Sequence, residues 1–305
     1  MTLYDLLNEG SAALQQAGDT DGENDAKLLL FEALHLDLVH FLMDRLRPLS
    51  EQDDKVQEQI RTYRGMIAKR ASRIPLQQIL GSQEFMGLDF FVNEHVLIPR
   101  QDTETLVELV LQEQQDPEKK LLDLCTGSGC IAISLAVKGG YRSVTATDLS
   151  EEALKVAERN AKMHGFAVVS HTETQDAPEQ AGHPFIFRQG DLFTAMPQSE
   201  AGTFDIITSN PPYIPTAVIA TLEPEVREHE PMMALDGTGD GLKFYRRIAK
   251  EAGAWLKPGG AVYLEIGYDQ GKAVSELLSE AGFDKVRVVK DLPGKDRVVC
   301  GIWPG

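Results

Sequence analysis

Asn210-Pro211-Pro212-Tyr213 follows directly on the apolar run 204–208, and no other stretch of the chain gathers as much potential chemistry. The run is short, β-branched and bounded by turn residues, so it reads as a buried strand. Pro211 and Pro212 have no backbone N–H, so ladder pairing must stop there. The strand therefore ends in a stiff turn rich in acceptors: the Asn210 side-chain oxygen and the carbonyls of Asn210 and Pro211, with the Tyr213 ring beside them. Such a corner suits a planar group that carries an NH2. Two acceptors bind the two N–H bonds while the aromatic ring covers the flat face. The nitrogen of an amide or a nucleobase is a poor nucleophile because its lone pair is delocalised. Holding both hydrogens out of the conjugated plane would localise that pair. The plain alternative is a proline-terminated strand with no chemistry, but this tetrapeptide behind an apolar strand is much rarer than an Asn-Pro turn.

A second stretch, Asp123-Leu124-Cys125-Thr126-Gly127-Ser128-Gly129-Cys130, joins a predicted strand at 121–124 to a predicted helix at 131–137. Gly127 and Gly129 let a ligand approach the backbone, and the helix N-terminus favours an anionic group. Asp148 follows about twenty residues later at the end of the next predicted strand, where a carboxylate binds a ribose diol. The spacing Gly127-x-Gly129-x-x-Ala132 also satisfies the dinucleotide fingerprint, so a nicotinamide dehydrogenase fits this loop equally well. S-adenosylmethionine (SAM) would use the same carboxylate and a similar loop. The acceptor corner breaks the tie, because an amino-methyltransferase has a use for it and a hydride-transfer enzyme does not.

These motifs need a framework. From Lys120 onward strand and helix patterns alternate: strands at 143–147, 185–187, 204–208 and 261–266, helices after Ser150 and near 241–255 and 269–281, and a closing pair at 286–289 and 297–302. Alternation of this kind predicts an α/β fold, a mostly parallel sheet with helices on both faces. Residues 1–74 read instead as a helical domain. Its stripes are Leu3, Leu6, Leu7 and Leu14, then Ala26, Leu29, Leu30, Ala33 and Leu34, then Val56, Ile60, Tyr63 and Ile67 on a helix starting at Ser50. Arg61, Arg64, Lys69, Arg70 and Arg73 on that third helix read as a solvated face, with a docking surface as the alternative. Residues 75–98 read as a β-hairpin linker around 85–92, and 99–305 as the α/β domain. Asp102 or Thr103 is expected to cap the helix that carries Leu106, Leu109 and Val110. The stretch His171 to Pro184 reads as a polar surface loop.

The 305 residues carry a formal net charge of −17. That balance opposes stable binding of DNA or RNA, which depends on Lys and Arg. Three cysteines and seven histidines show no metal-ligand spacing, and an odd cysteine count fits a reducing compartment. No metal is expected. The first ten residues lack a signal-peptide pattern, and no apolar run is long enough to span a bilayer, so a cytoplasmic protein with no membrane partner is expected.

With these motifs in view, the sequence resembles the class I SAM-dependent methyltransferases, and within them the protein-(glutamine-N5) methyltransferases that modify peptide chain release factors. The resemblance covers nearly the whole chain. It includes Ile98-Pro99-Arg100 with Asp102-Thr103-Glu104, the glycine loop, Asp148, Gly190-Asp191-Leu192-Phe193 and the corner. Its most specific parts are Glu225-Val226 through Glu230-Pro231, Ala234-Leu235-Asp236-Gly237, Asp240-Gly241-Leu242, and Asp291-Leu292-Pro293-Gly294 with Arg297-Val298. Cys125 stands where the family often has glycine, Gln101 where it often has proline, and Leu192 where it often has an aromatic residue.

The resemblance implies a Rossmann-like, seven-stranded sheet with an antiparallel closing strand, plus a small helical N-terminal substrate-docking domain. It implies SAM as cofactor, held by Cys125, Thr126, Gly127, Ser128, Gly129, Asp148, Asp191, Leu192 and Asn210. Asp191 would accept from the adenine amino group while Leu192 packs on the ring. The substrate would be the glutamine of the release factor's Gly-Gly-Gln loop, bound and oriented by Asn210, Pro211, Pro212 and Tyr213. A monomer is expected. Thr103 and Glu104 are expected near the site; Glu265, at the end of a strand on the same sheet edge, is expected either there or in a capping or packing role. The rivals are a DNA adenine or cytosine methyltransferase, which shares the corner, a ribosomal-protein glutamine methyltransferase, and a non-catalytic SAM-binding module.

Overall fold

The computed structural model describes residues 1–50, 52–170 and 184–305. The expected loop from His171 therefore lies outside the described residues, apart from Pro184. The chain divides into two units, Met1–Ser82 with Glu223–His229, and Gln83–Leu222 with Glu230–Gly305.

The first unit is helical: α1 (Leu3–Gln16), α2 (Gly22–Leu34), α3 (Leu38–Asp44), α4 (Asp54–Ala71), α5 (Leu76–Leu80) and the short helix Pro224–His229. Thr2 and Asp5 form a reciprocal capping box that satisfies the first orphan N–H groups of α1. The three leucine-rich and mixed stripes predicted above meet in one core. Gly10 is needed there because a Cβ would lie 2.0 Å from the Tyr63 hydroxyl oxygen. That hydroxyl donates to the Leu6 carbonyl at 3.1 Å.

The structure corrects the sequence reading in four places here. The helical unit runs past the expected boundary at 74 to Ser82, because α5 follows Pro75 where a hairpin linker was expected. Helix α4 begins at Asp54 behind an Asp53 cap, not at Ser50. Helix α3 was not anticipated, because it buries only Phe41 and so has no clear stripe. The basic residues of α4 do not form one solvated face. Arg70 is buried and meets Asp25 at 2.6 Å, Asp19 at 2.9 Å and Glu225 at 2.9 Å, while Arg73 meets Glu225 at 2.7 Å. A guanidinium can be buried when several carboxylates compensate it, and composition does not reveal that pairing.

In chain order the strands are β1 (Ser82–Phe85), β2 (Leu88–Phe91), β3 (Lys120–Leu124), β4 (Ser143–Asp148), β5 (Val168–Val169), β6 (Phe185–Gln189), β7 (Phe204–Ser209), β8 (Ile214–Pro215), β9 (Asp236–Thr238), β10 (Leu256–Glu265), β11 (Asp284–Lys290) and β12 (Asp296–Ile302). Strands β1 and β2 form the expected hairpin, and β8 pairs with β9. The main sheet has the order β11-β12-β10-β7-β3-β4-β6-β5. Its neighbours are parallel except that β12 runs antiparallel to both β10 and β11. Seven of these strands were expected. The eighth, β5, has two residues, too few to leave a periodic signal.

Alternate residues of the central strands enter opposite cores. Leu121 and Ile206 face a core with α6 (Gln101–Glu113), α7 (Cys130–Gly139) and α8 (Glu151–Met163). Leu122 and Ile207 face a second core with Tyr245, Ile248, Val274 and Leu278 from helices Lys243–Ala252 and Gly271–Glu280. Burial on both faces explains the continuous apolar runs. The chain passes from β3 through α7 to β4 on one side, whereas β7 lies on the other. A ligand crevice is expected at the carboxyl ends of strands at such a reversal. No helix among the described residues is long and apolar enough to cross a membrane.

Candidate active site

Leu124 of β3 and Ser209 of β7 are register partners, so Cys125 and Asn210 leave the sheet side by side. Two buried contacts stiffen this exit. The Ser209 hydroxyl donates to the Leu124 carbonyl at 2.9 Å. Asp123 accepts from the Thr126 and Thr208 hydroxyls, each at 2.7 Å, which joins the loop to the strand beneath the corner. Burial pushes the Asp123 carboxyl up to about 7; the two hydroxyls oppose the rise and the charge of Asp148 adds to it. Cys125 adopts φ 56°, the left-handed region. Glycine is favoured at such a point, since a side chain there costs about 1 kcal/mol.

One cleft opens over this exit, with an empty space of ≈ 950 Å³ counted out to its mouth. Of the residues singled out in the sequence, Cys125, Thr126, Gly127, Ser128, Asp148, Asp191, Leu192, Asn210 and Pro212 line it. Gly129, Pro211 and Tyr213 do not form its wall. Gly129 serves α7 instead: it is the N-cap at φ 81°, and a Cβ there would meet Ile133 at 2.8 Å.

Asp148 ends β4 and reaches back to the loop. One carboxylate oxygen accepts the Gly127 N–H and the other the Ser150 N–H, each at 2.9 Å. Burial raises its pKa and these backbone donors oppose the rise. An ionised carboxylate has about four acceptor sites, so two backbone N–H groups leave room for a diol. A Cβ on Gly127 would find open space, so the backbone there is bare toward the cleft. Asp191 is held by Arg247, whose Nη1 donates to both carboxylate oxygens at 2.8 Å. Leu192 has φ 54° and is buried, one side of it lining the cleft. A carboxylate with acceptor sites to spare, a bare glycine backbone at a helix N-terminus and an apolar wall fit a nucleoside with a charged amino-acid tail.

Sequence reasoning missed several wall residues. His95, Val96 and Leu97 line the cleft because Val92 and Val96 pack on Ala153 and Val156 of α8. Asn160, fully buried, receives the Phe91 N–H and donates to the carbonyls of Phe91 and Ser128, tying the hairpin to the glycine loop. An asparagine set among the inward-facing Leu154, Ala157 and Ala161 of α8 was the available signal. Arg100 lines the cleft and donates to Glu230 at 2.7 Å. The Glu230 carboxylate is fully buried, and burial raises its pKa despite Arg100.

Behind the corner the packing is tight. The Tyr213 carbonyl accepts from Gln270 Nε2 at 3.0 Å. Gly237 and Gly241 lie against the Tyr213 backbone, where a Cβ would come within 2.8 and 2.3 Å respectively. The Tyr213 hydroxyl reaches Glu265 at 3.4 Å, and burial raises the tyrosine pKa. Asn210 donates from Nδ2 to Thr103 at 3.5 Å. Among the described residues, no hydrogen bond ends on the Asn210 side-chain oxygen or the Pro211 carbonyl.

Helix α6 starts at Gln101, with Arg100 as its N-cap, so neither Asp102 nor Thr103 caps it as expected. Asp102 instead pairs with Arg297 at 2.8 Å, and Arg297 also meets Asp291 at 3.1 Å. Thr103 lines the cleft, whereas Glu104 accepts the N–H of Met86 in the hairpin turn. Consecutive helical positions point about 100° apart, so only one of the two could face the site.

The family model of the PrmC N-terminal domain matches residues 5–81, and that of the methyltransferase small domain matches residues 101–222. The chain is 40% identical over 300 residues to the release factor glutamine methyltransferase of Geobacter sulfurreducens, covering 98% of this chain and 96% of the relative. It is 38% identical over 291 residues to the release factor glutamine methyltransferase of Agrobacterium fabrum, covering 94% and 92%. Among solved structures, a methyltransferase from Pyrococcus furiosus matches with a TM-score of 0.50 at 20% identity, over 78% of this chain and 99% of that one. At that identity the likeness concerns the fold.

Proposed function

The chain belongs to the family of release factor glutamine methyltransferases and transfers a methyl group from SAM to a release-factor glutamine; we propose that the target is the Gly-Gly-Gln glutamine and that the Asn210 corner orients its side-chain amide. One observation carries this reading. Asn210 and Pro212 share a single cleft wall with Gly127 and Asp148, so the amide-binding corner and the nucleoside-binding loop serve one space.

When bound, SAM supplies an electrophilic methyl group on a sulfonium centre. Asp148 accepts from the ribose hydroxyls with the lone pairs that Gly127 and Ser150 leave free. Asp191 accepts from the adenine amino group while Arg247 holds its carboxylate in place. Leu192 packs on the ring. Cys125, Thr126 and Ser128 shape the wall around the amino-acid tail, and Gly129 sets the start of α7.

The Asn210 side-chain oxygen and the Pro211 carbonyl accept the two hydrogens of the glutamine amide. Each bond is worth only about 1 kcal/mol net. Fixing the nitrogen in a near-attack position contributes more, on the order of 7 kcal/mol in favourable cases. Pro212 and the Tyr213 ring hold the corner in shape, and the cleft excludes water from the reacting atoms. The alkylated nitrogen is strongly acidic and loses its surplus proton to water, so no general base is assigned.

The enzyme acts in the cytoplasm as a monomer, and its acidic balance opposes stable nucleic-acid binding. A methylation assay offering a release factor, a ribosomal protein and duplex DNA in parallel tests the substrate. Transfer to the release factor alone is expected. Transfer to either of the others and not to the release factor would overturn the proposal.

A further inference from the structure

The carboxamide of Asn210 is nearly symmetric in shape, and a half-turn would exchange its oxygen for its NH2. Facing the substrate, the oxygen accepts an amide hydrogen while the NH2 repels one. Something in the protein must therefore fix the orientation. The structure offers a buried chain of groups behind the corner. Asn210 Nδ2 points at Thr103 Oγ1, 3.5 Å away, and Thr103 is only 2% exposed. Glu265 lies behind the same corner, where its Oε1 receives the Tyr213 hydroxyl at 3.4 Å, and the Thr103 hydroxyl favours its ionised form. Glu265 is also 2% exposed, and its Oε2 is buried with no hydrogen-bond partner among the described residues.

We propose that Glu265 and Thr103 are positioning residues that set which end of the Asn210 carboxamide faces the substrate. This inference rests on the glutamine-methylating function above. An ionised carboxylate only accepts, so it draws the Thr103 proton toward itself. The Thr103 oxygen can then only accept, and Asn210 must offer it the NH2. The Asn210 oxygen is left facing the cleft. Neither Glu265 nor Thr103 needs to touch the reacting atoms. A buried carboxylate with one oxygen left without a partner is costly to keep, and a directional task of this kind accounts for its place.

Protonating Glu265 removes the demand, because a carboxylic acid can donate to Thr103. Burial pushes the Glu265 pKa up to about 7, and Asp102 adds to the rise. Thr103, Arg297 and Tyr213 oppose it. Tyr245 donates its hydroxyl to the Glu265 backbone carbonyl, and the buried Cys130 thiol also senses the carboxylate. The competent form is the ionised one, so kcat should rise as pH passes through about 7.

The test compares Thr103→Val, Thr103→Ser and Glu265→Gln in methyl transfer to a release factor. Thr103→Val keeps the shape and loses the hydroxyl, so kcat should fall on the order of 10²-fold with the SAM dissociation constant unchanged. Thr103→Ser should restore most of kcat. Glu265→Gln should flatten the acid limb of the kcat profile. In parallel, the 15N-labelled side-chain amide of Asn210 is followed by NMR against pH without substrate. It should shift with a midpoint near 7 in the wild-type protein, and in neither Thr103→Val nor Glu265→Gln. Equal losses in the Ser and Val variants, an acid limb that survives in Glu265→Gln, or an Asn210 amide indifferent to pH would each overturn the proposal. If the wild-type protein methylated no release factor, the function assigned above would fail, while the amide titration would still decide whether this chain of groups exists.

Discussion

Replacing Gly237 by alanine should slow methyl transfer without touching the cofactor cleft. Gly237 sits in β9, beside the residues that follow the corner: Asp236 pairs with Ile214 and Thr238 with Pro215. An added Cβ would lie 2.8 Å from the Tyr213 Cα, 2.8 Å from its carbonyl carbon and 2.8 Å from the Gly241 Cα. All three are backbone atoms and cannot swing aside. Ordinary contact begins at 3.4 Å, so the Tyr213 backbone must retreat by the difference, about 0.6 Å. Gly237 does not have a positive φ, so the substitution adds no local backbone strain. A displacement of about 1 Å near a reacting group can cost 10²-fold in rate, so a loss of about tenfold in kcat is expected here. Gly239→Ala is the control, because a Cβ there meets nothing within 4 Å. The assay is single-turnover methylation of a release factor with SAM affinity measured separately. A Gly237→Ala enzyme with wild-type kcat would refute the reasoning, as would a loss of SAM binding equal to the loss of rate.

Asp148→Ala removes a charged acceptor for two hydroxyls and should weaken SAM binding by roughly 10- to 100-fold, read by calorimetry. Much of the rate should return at saturating SAM, and unchanged affinity would refute the ribose role. Asp123 sits near 7 rather than at its ordinary 3.8, so the native state holds its proton more tightly than the unfolded chain. Its contribution to stability is fully present below about 3.8 and is lost as pH rises through about 7, on the order of 4 kcal/mol in all. Asp123→Asn should therefore flatten the dependence of Tm on pH across that window, and an unchanged slope would contradict the assignment. Arg70→Gln strands Asp19, Asp25 and Glu225 and should destabilise the helical unit by about 3 kcal/mol in denaturant unfolding. A loss well under 1 kcal/mol would mean that those carboxylates are solvated.

Periodicity exposed the sheet strands and the helices that cover them, because both are long and repeat a simple pattern. Strand β7 and its proline stop were legible for the same reason, as were the glycines of the first loop and Asp148. What stayed hidden depends on contacts between distant parts of the chain. The partnership of Arg70 with Glu225 spans more than a hundred residues and leaves no local trace. Arg247 on Asp191 and Asp102 on Arg297 likewise leave no local trace. The later stretches around Gly237 and Gly241 were recognisable as family signatures, but their physical reason appears only when both are seen against the Tyr213 backbone. Glu104 shows the opposite error. It stands beside Thr103 in sequence, yet the turn of the helix sends it to the hairpin.

The central claim is that the Asn210 corner holds a glutamine amide for methylation. The most direct measurement is peptide mass spectrometry of a release factor after incubation with SAM and either the wild-type enzyme or Asn210→Ala. The wild-type enzyme should add a single methyl group to the glutamine of the Gly-Gly-Gln loop, and the variant should add almost none while still binding SAM. Methylation at another residue, or an Asn210→Ala enzyme that modifies the glutamine at the wild-type rate, would contradict it.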